Sequence, residues 1–132
     1  MKLEKLRILV VDDHADTQKT MCLMLRQLGV EKILTANDGQ EALDIIDGEG
    51  TEGIHVVLCD WNMPNVSGIE FLRQVRSIDH ALPFVMVTAR GDANSVEEAR
   101  DAKVTGYILK PFTLGELKKK MEMLVETAVG KG

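Results

Sequence analysis

Apolar residues fall along the chain in two alternating patterns: short unbroken runs, and longer stretches that repeat every three or four positions. Ile8-Leu9-Val10-Val11 is a β-branched run that stops at Asp12-Asp13, so it reads as a buried strand. From Ala15 to Leu28, residues Met21, Met24, Leu25 and Leu28 share one helical face, and Gly29 supplies a C-terminal stop. Ile33-Leu34 marks a second short strand. Asn37-Asp38-Gly39 is a turn, and Asp38 or Gly39 opens a helix carrying Ala42, Leu43, Ile45 and Ile46. Gly48 to Gly53 reads as a loop, and Ile54 to Cys59 as a third strand ending at Asp60. After a loop from Pro64 to Gly68, Ile69, Leu72, Val75 and Arg76 follow at helical spacing. Pro83 to Thr88 is a fourth strand, and Asn94 to Ala102 a weakly apolar helix. Gly106 to Leu109 is a fifth strand ending at Lys110-Pro111. Leu114, Leu117, Met121, Leu124 and Ala128 mark a last amphipathic helix.

Five strand-then-helix units in succession predict an α/β fold. The sheet is parallel, helices cover both faces, and the crossovers are right-handed. The first, third and fourth runs are nearly all apolar, as strands covered on both faces require. With 132 residues, no internal repeat and no linker, residues 1–132 read as a single domain without an attached output domain. A chain of this size buries enough surface for one core without staples, and a hydrophobic fraction of 45% with 28% charged residues argues against a disordered chain.

Charge and cysteine content narrow the function classes. Sixteen basic against 21 acidic residues give a net charge of −5, which argues against nucleic acid or an anionic membrane as a partner. No apolar stretch is long enough to insert in a membrane, and the charged N-terminus Met1 to Arg7 lacks a signal-peptide core. Cys22 and Cys59 have no motif spacing and read as reduced and buried, so the expected location is cytoplasmic.

The candidate chemistry sits where the strands stop, the edge at which open parallel sheets bind ligands. Strand one ends in Asp12-Asp13, strand three in Asp60, strand four in Thr88 and strand five in Lys110. Taken alone, each has a bland reading: Asp12-Asp13 as a helix N-cap pair, Thr88 as an ordinary strand end, Lys110 as a solvated cation. Their joint occurrence favours a site. Two carboxylates about 5 Å apart repel by roughly 3 kcal/mol at an effective dielectric of about 20, so three together call for a cation. Oxygen ligands with room for water suit Mg²⁺. Open positions on such an ion accept a phosphoryl oxygen, with Lys110 and Thr88 facing the others. A carboxylate nucleophile then gives an aspartyl phosphate.

The sequence resembles the response-regulator receiver domains, specifically the single-domain chemotaxis (CheY-like) type. The resemblance is carried by Val10-Val11-Asp12-Asp13, Asp38-Gly39-Gln40-Glu41-Ala42, Cys59-Asp60-Trp61-Asn62-Met63-Pro64-Asn65, Val85-Met86-Val87-Thr88-Ala89 and Gly106-Tyr107-Ile108-Leu109-Lys110-Pro111-Phe112-Thr113. It implies a flavodoxin-like doubly wound five-stranded parallel sheet of order 2-1-3-4-5 with five helices; the strand order comes from the resemblance, since periodicity alone does not fix it. It also implies Asp60 as phosphoacceptor, and Mg²⁺ held by Asp12, Asp13, Asp60 and the backbone carbonyl of Asn62. Lys110 pairs with the phosphoryl group, while Thr88 and Tyr107 act as switch residues. The implied donor is the phosphohistidine of a histidine kinase. The implied output is a protein target (flagellar motor, kinase or adaptor) on the face of helix four, strand five and helix five, bound by a monomer. Such a protein is a phosphoacceptor and not an enzyme acting on other substrates.

Three departures stand out. Ser67 replaces a common acid before Gly68, Lys103-Val104-Thr105 replaces smaller residues, and Arg90 places a long cation near the site mouth. Arg90 and Asn62 are therefore candidate modulators of phosphoryl lifetime. Gly48 to Gly53 fits GxGxxG, but follows a helix instead of a strand and carries two glutamates, so it is not a dinucleotide site. Asn65-Val66-Ser67 is a sequon without an export signal, and Asp60-Trp61-Asn62 lacks the glycine of a calcium loop. His14, His55 and His80 lack ligand spacing, though His14 lines the acids; Lys118-Lys119-Lys120 is a solvated helix face, and Trp61 a loop residue placed to report metal binding. Two other functions compete with the switch. A phosphotransferase or phosphatase acting through an aspartyl phosphate on exogenous substrate wants a second acid where Asn62 stands. A non-phosphorylated adaptor has no use for the full acid, Thr and Lys set.

Overall fold

The computed structural model describes residues 2–50 and 53–131, with side chains described to Val125. Its elements are β1 (Arg7–Val11), α1 (Ala15–Gln27), β2 (Lys32–Ala36), α2 (Gly39–Glu49), β3 (Val56–Cys59), α3 (Gly68–Ile78), β4 (Phe84–Thr88), α4 (Ala93–Asp101), β5 (Gly106–Leu109) and α5 (Leu114–Lys131). A short 3-10 turn, Leu3–Lys5, precedes β1. The strands form one parallel sheet of order β2-β1-β3-β4-β5, as the family resemblance implies.

Strand composition explains that order. Residues 8–11 of β1 and all of β3 and β4 are buried, and these are the three central strands. The less apolar β2 and β5 take the edges, where one flank meets solvent. Alternation sorts the side chains into two layers. Leu9, Val11, Val57, Cys59, Phe84 and Met86 pack with residues of α2, α3 and α4. Ile8, Val10, Val56, Leu58, Val85, Val87 and Ile108 pack with α1 and α5.

Several boundaries differ from those the sequence predicts. The loop expected from Gly48 instead begins after Glu49: the helix runs through Gly48, a single interior glycine that costs only about 0.5–1 kcal/mol against alanine. Gly50, at φ 75°, ends the helix by donating to the Ile46 carbonyl at 2.6 Å. Thr51 and Glu52 of that loop, and the Ala128 side chain, lie outside the described residues. The third strand starts at Val56, two residues later than expected. His55 donates its N–H to the Arg7 carbonyl and takes the Arg7 N–H on Nδ1, both at 2.8 Å, so a ring replaces a backbone acceptor there. Burial, helped by the Arg7 charge, holds that imidazole below its ordinary value and keeps the accepting lone pair free.

Several helix ends carry the chemistry expected of caps. Gly29, at φ 99°, closes α1 with Val30 N–H on the Leu25 carbonyl. Asp38 caps α2 through Glu41 N–H at 2.8 Å. Ser67 caps α3 through Glu70 N–H, which gives this departure from the family pattern a structural role. Arg76 ties the far side together. It donates to the carbonyls of Lys103, Asp79 and Leu82 and to Thr105 Oγ1, fixing the entries to β4 and β5.

Candidate acidic site at the strand ends

Asp12 leaves the sheet where the β1–β2 ladder closes, its N–H still reaching the Ala36 carbonyl at 3.1 Å. Its Oδ1 accepts the His14 N–H at 2.9 Å and turns the chain toward α1. α1 starts behind His14 with no side-chain capping bond, so the N-cap reading of Asp12-Asp13 is not what the structure shows. β3 delivers Asp60 beside Asp12, with Asp60 N–H on the Val11 carbonyl at 3.0 Å. Trp61 N–H donates to Asp60 Oδ1 at 2.8 Å. From the next edge, Lys110 Nζ lies 3.7 Å from both Asp12 Oδ2 and Asp60 Oδ1.

The structure thus brings Asp12, Asp13, Asp60 and Lys110 together. Ligand atoms of Asp12, Asp13, His14 and Asp60 lie within 4.8 Å of one another. Asp12 and Asp60 are 7% and 8% exposed, so their charges are mostly withdrawn from water. Burial raises the Asp60 carboxyl above its ordinary range, and the Asp12 and Asp13 charges add to this, against Lys110 and the Trp61 N–H. His14, expected only to line the acids, sets Nδ1 3.1 Å from Asp13 Oδ1.

The donor set fits a divalent hard cation. Three carboxylates and one ammonium sum to −3 + 1 = −2, which one such ion balances. All three carboxylates are oxygen donors, and the cluster opens into a cleft of about 510 Å³ lined by Asp60, Asn62, Thr88, Arg90 and Lys110 among others.

The second rim of the cleft is built around Arg90. Thr88, 1% exposed, accepts the Arg90 N–H on Oγ1 at 3.2 Å. The Arg90 guanidinium lies 5.0 Å from the Trp61 ring centre and donates to Asn62 Oδ1 at 2.8 Å. Its backbone carbonyl accepts the Tyr107 hydroxyl at 2.6 Å. Tyr107 is not among the residues lining the cleft; it meets the site through Arg90. Trp61 is 5% exposed and belongs to the core against α2 and α3, far more buried than a loop reading suggests.

One contributor carries no signal in the sequence. Gln18, on the first turns of α1, donates Nε2 to the carbonyls of Asp12 and Ala36, a role that depends on two chain segments meeting.

Comparison with known proteins agrees with this geometry. Residues 8–122 match the family described as "Response regulator receiver domain". The chain is 37% identical over 127 residues to the chemotaxis protein CheY of Pseudomonas aeruginosa, covering 95% of this chain and all of that one. A CheY homolog of Campylobacter jejuni is 36% identical over 129 residues, covering 96% and 98%. Among solved structures, Vibrio cholerae CheY4 matches with a TM-score of 0.81 at 29% identity, covering 90% of this chain and 98% of that one. A receiver domain protein from Clostridium thermocellum matches with a TM-score of 0.88 at 27% identity, covering 96% and 99%. With the acids at the strand ends and matches along nearly its whole length, the chain belongs to the response regulator receiver domain family, and within it to the CheY type.

Proposed function

We propose that this chain is a phosphorylation-controlled binding switch in chemotaxis signalling, a cytoplasmic monomer phosphorylated on Asp60 by a histidine kinase. The observation that carries this reading is the placement of Asp60, shielded from water, beside two further carboxylates and a lysine ammonium.

A carboxylate oxygen of Asp60 attacks phosphorus, the P–N bond to the donor histidine breaks, and the departing nitrogen keeps the electron pair. Asp12, Asp13, Asp60 and the Asn62 backbone carbonyl would hold Mg²⁺, which would supply positive charge to the carboxylates and phosphoryl oxygens. Lys110, already within 3.7 Å of Asp60, pairs with another phosphoryl oxygen. Thr88 donates its hydroxyl to the group, and its movement carries the adjoining β4–α4 loop. Tyr107 is bonded to that loop at the Arg90 carbonyl, so the α4–β5–α5 face receives the signal. Arg90 and Asn62 close the cleft mouth and modulate access of water to the aspartyl phosphate. Two residues after Asp60 stands a neutral amide committed to Arg90, so no acid waits there to serve an exogenous leaving group.

The test is a pull-down from the source cells' lysate with and without beryllofluoride, a phosphoryl mimic. A partner retained only in the loaded state supports the switch. Identical captured sets in both states contradict it.

A further inference from the structure

We propose that Gln18 is a positioning residue for the divalent cation, holding the Asp12–Asp13 corner at the geometry that binds Mg²⁺. The inference rests on the metal reading given under Proposed function.

The β1–β2 ladder ends at the pair Val11 and Ala36. Beyond it, the Asp12 carbonyl has left the sheet. Gln18 Nε2 reaches the Asp12 carbonyl at 3.1 Å and the Ala36 carbonyl at 3.0 Å, and Asn37 Oδ1 at 3.3 Å. Two of these partners are backbone carbonyls, which only accept, so the amide must present its nitrogen. Its two hydrogens bridge the ends of β1 and β2 as another rung of the sheet would. The rung is anchored on α1, whose backbone starts within the same turn: Gln18 N–H bonds the His14 carbonyl at 2.9 Å.

The bridge acts on Asp12 and Asp13 without touching either carboxylate. Three anionic side chains crowded together repel each other and gain by spreading apart. The Asp12 side chain is held by His14 N–H on one oxygen and by the Lys110 ammonium near the other, so rotation of the corner about β1 is its remaining route outward. The Asp12 N–H already ties one side of the residue to the Ala36 carbonyl, and Gln18 blocks that route by tying the Asp12 carbonyl on the other side to the same β2 acceptor. It keeps the carboxylates close together before the cation arrives, so binding does not have to order them. Outer partners of metal ligands typically change affinity by about 10–100-fold, and a bond to the ligand's backbone belongs at the lower end.

The test uses the full-length chain and Mg²⁺ itself, titrated by calorimetry and by Trp61 fluorescence. Gln18→Met keeps side-chain length, helix preference and charge, and removes the amide with both its donors and its acceptor oxygen. Its Mg²⁺ dissociation constant should rise about tenfold. Asn37→Ala, which removes the longest of the three contacts, should raise it less than about twofold. Metal-free thermal midpoints of all three proteins separate affinity from stability. A Gln18→Met protein that binds Mg²⁺ like wild type overturns the proposal, whatever its midpoint. If Gln18→Met does not fold, equal effects of Asn37→Ala and Gln18→Asn, which withdraws the amide from both carbonyls, overturn it instead. A wild-type chain without Mg²⁺ response overturns the metal reading, and the role of Gln18 with it.

Discussion

Asp60→Asn is expected to abolish phosphorylation and, in metal-free buffer at neutral pH, to raise the thermal midpoint. The first effect follows from loss of the nucleophilic oxygen. The second follows from electrostatics: burial raises the Asp60 carboxyl, and Asp12 and Asp13 reinforce this. A carboxyl raised in the folded state binds its proton more tightly there than in the unfolded chain. Its stabilising contribution is present below the ordinary value of 3.8 and is lost as pH rises through the folded value. Ionised Asp60 therefore works against the fold at neutral pH. Asparagine removes that charge while keeping the shape, though it forgoes the pairing with Lys110. The gap between the two midpoints should narrow as pH falls. Added Mg²⁺ should raise wild type more than the variant. Differential scanning calorimetry across pH, with and without Mg²⁺, reads all three effects; a variant less stable than wild type in metal-free neutral buffer contradicts the electrostatic account.

Gly68→Ala is expected to be among the most destabilising single substitutions in the chain. A Cβ there would collide with the Asp60 carbonyl oxygen and stand 2.8 Å from Trp61 Cα, both backbone atoms that cannot rotate away. Gly68 also donates its N–H to the Trp61 carbonyl at 2.8 Å, tying the start of α3 to the end of β3. Relief requires moving the β3–α3 loop or the helix, at a cost of about 3 kcal/mol or more. Because that loop carries Asp60 and Asn62, the variant should also accept phosphoryl groups more slowly than wild type under conditions where it remains folded. Urea unfolding followed by circular dichroism checks the stability. A loss under about 1 kcal/mol, the low end of what overpacking costs, would contradict it.

Much of the fold is readable from sequence because its signals are local. The buried runs at β1, β3 and β4 are continuous enough to mark strands covered on both faces, and Gly29 and Asp38 mark helix ends by their own chemistry. The site acids are readable because each ends a strand. What escapes depends on segments far apart in sequence. The imidazole of His55 displaces a rung of the sheet, which shortens β3. Helix α2 runs through Gly48 and ends at Gly50, whose positive φ stops it, and the two glycines look alike in the sequence. Gln18, the burial of Trp61 and the grip of Arg76 on two distant loops have no local pattern to announce them. Arg90 is legible in the sequence as a cation near the mouth, but its contacts with Trp61, Asn62 and Tyr107 are products of tertiary structure.

The most direct test of the central claim is the intact mass of the purified chain after incubation with Mg²⁺ and a small-molecule phosphoryl donor such as an acyl phosphate. The account predicts a wild-type species heavier by one phosphoryl group, absent without Mg²⁺ and absent in Asp60→Asn. A wild-type chain that never gains that mass, or an Asp60→Asn chain that still does, contradicts it.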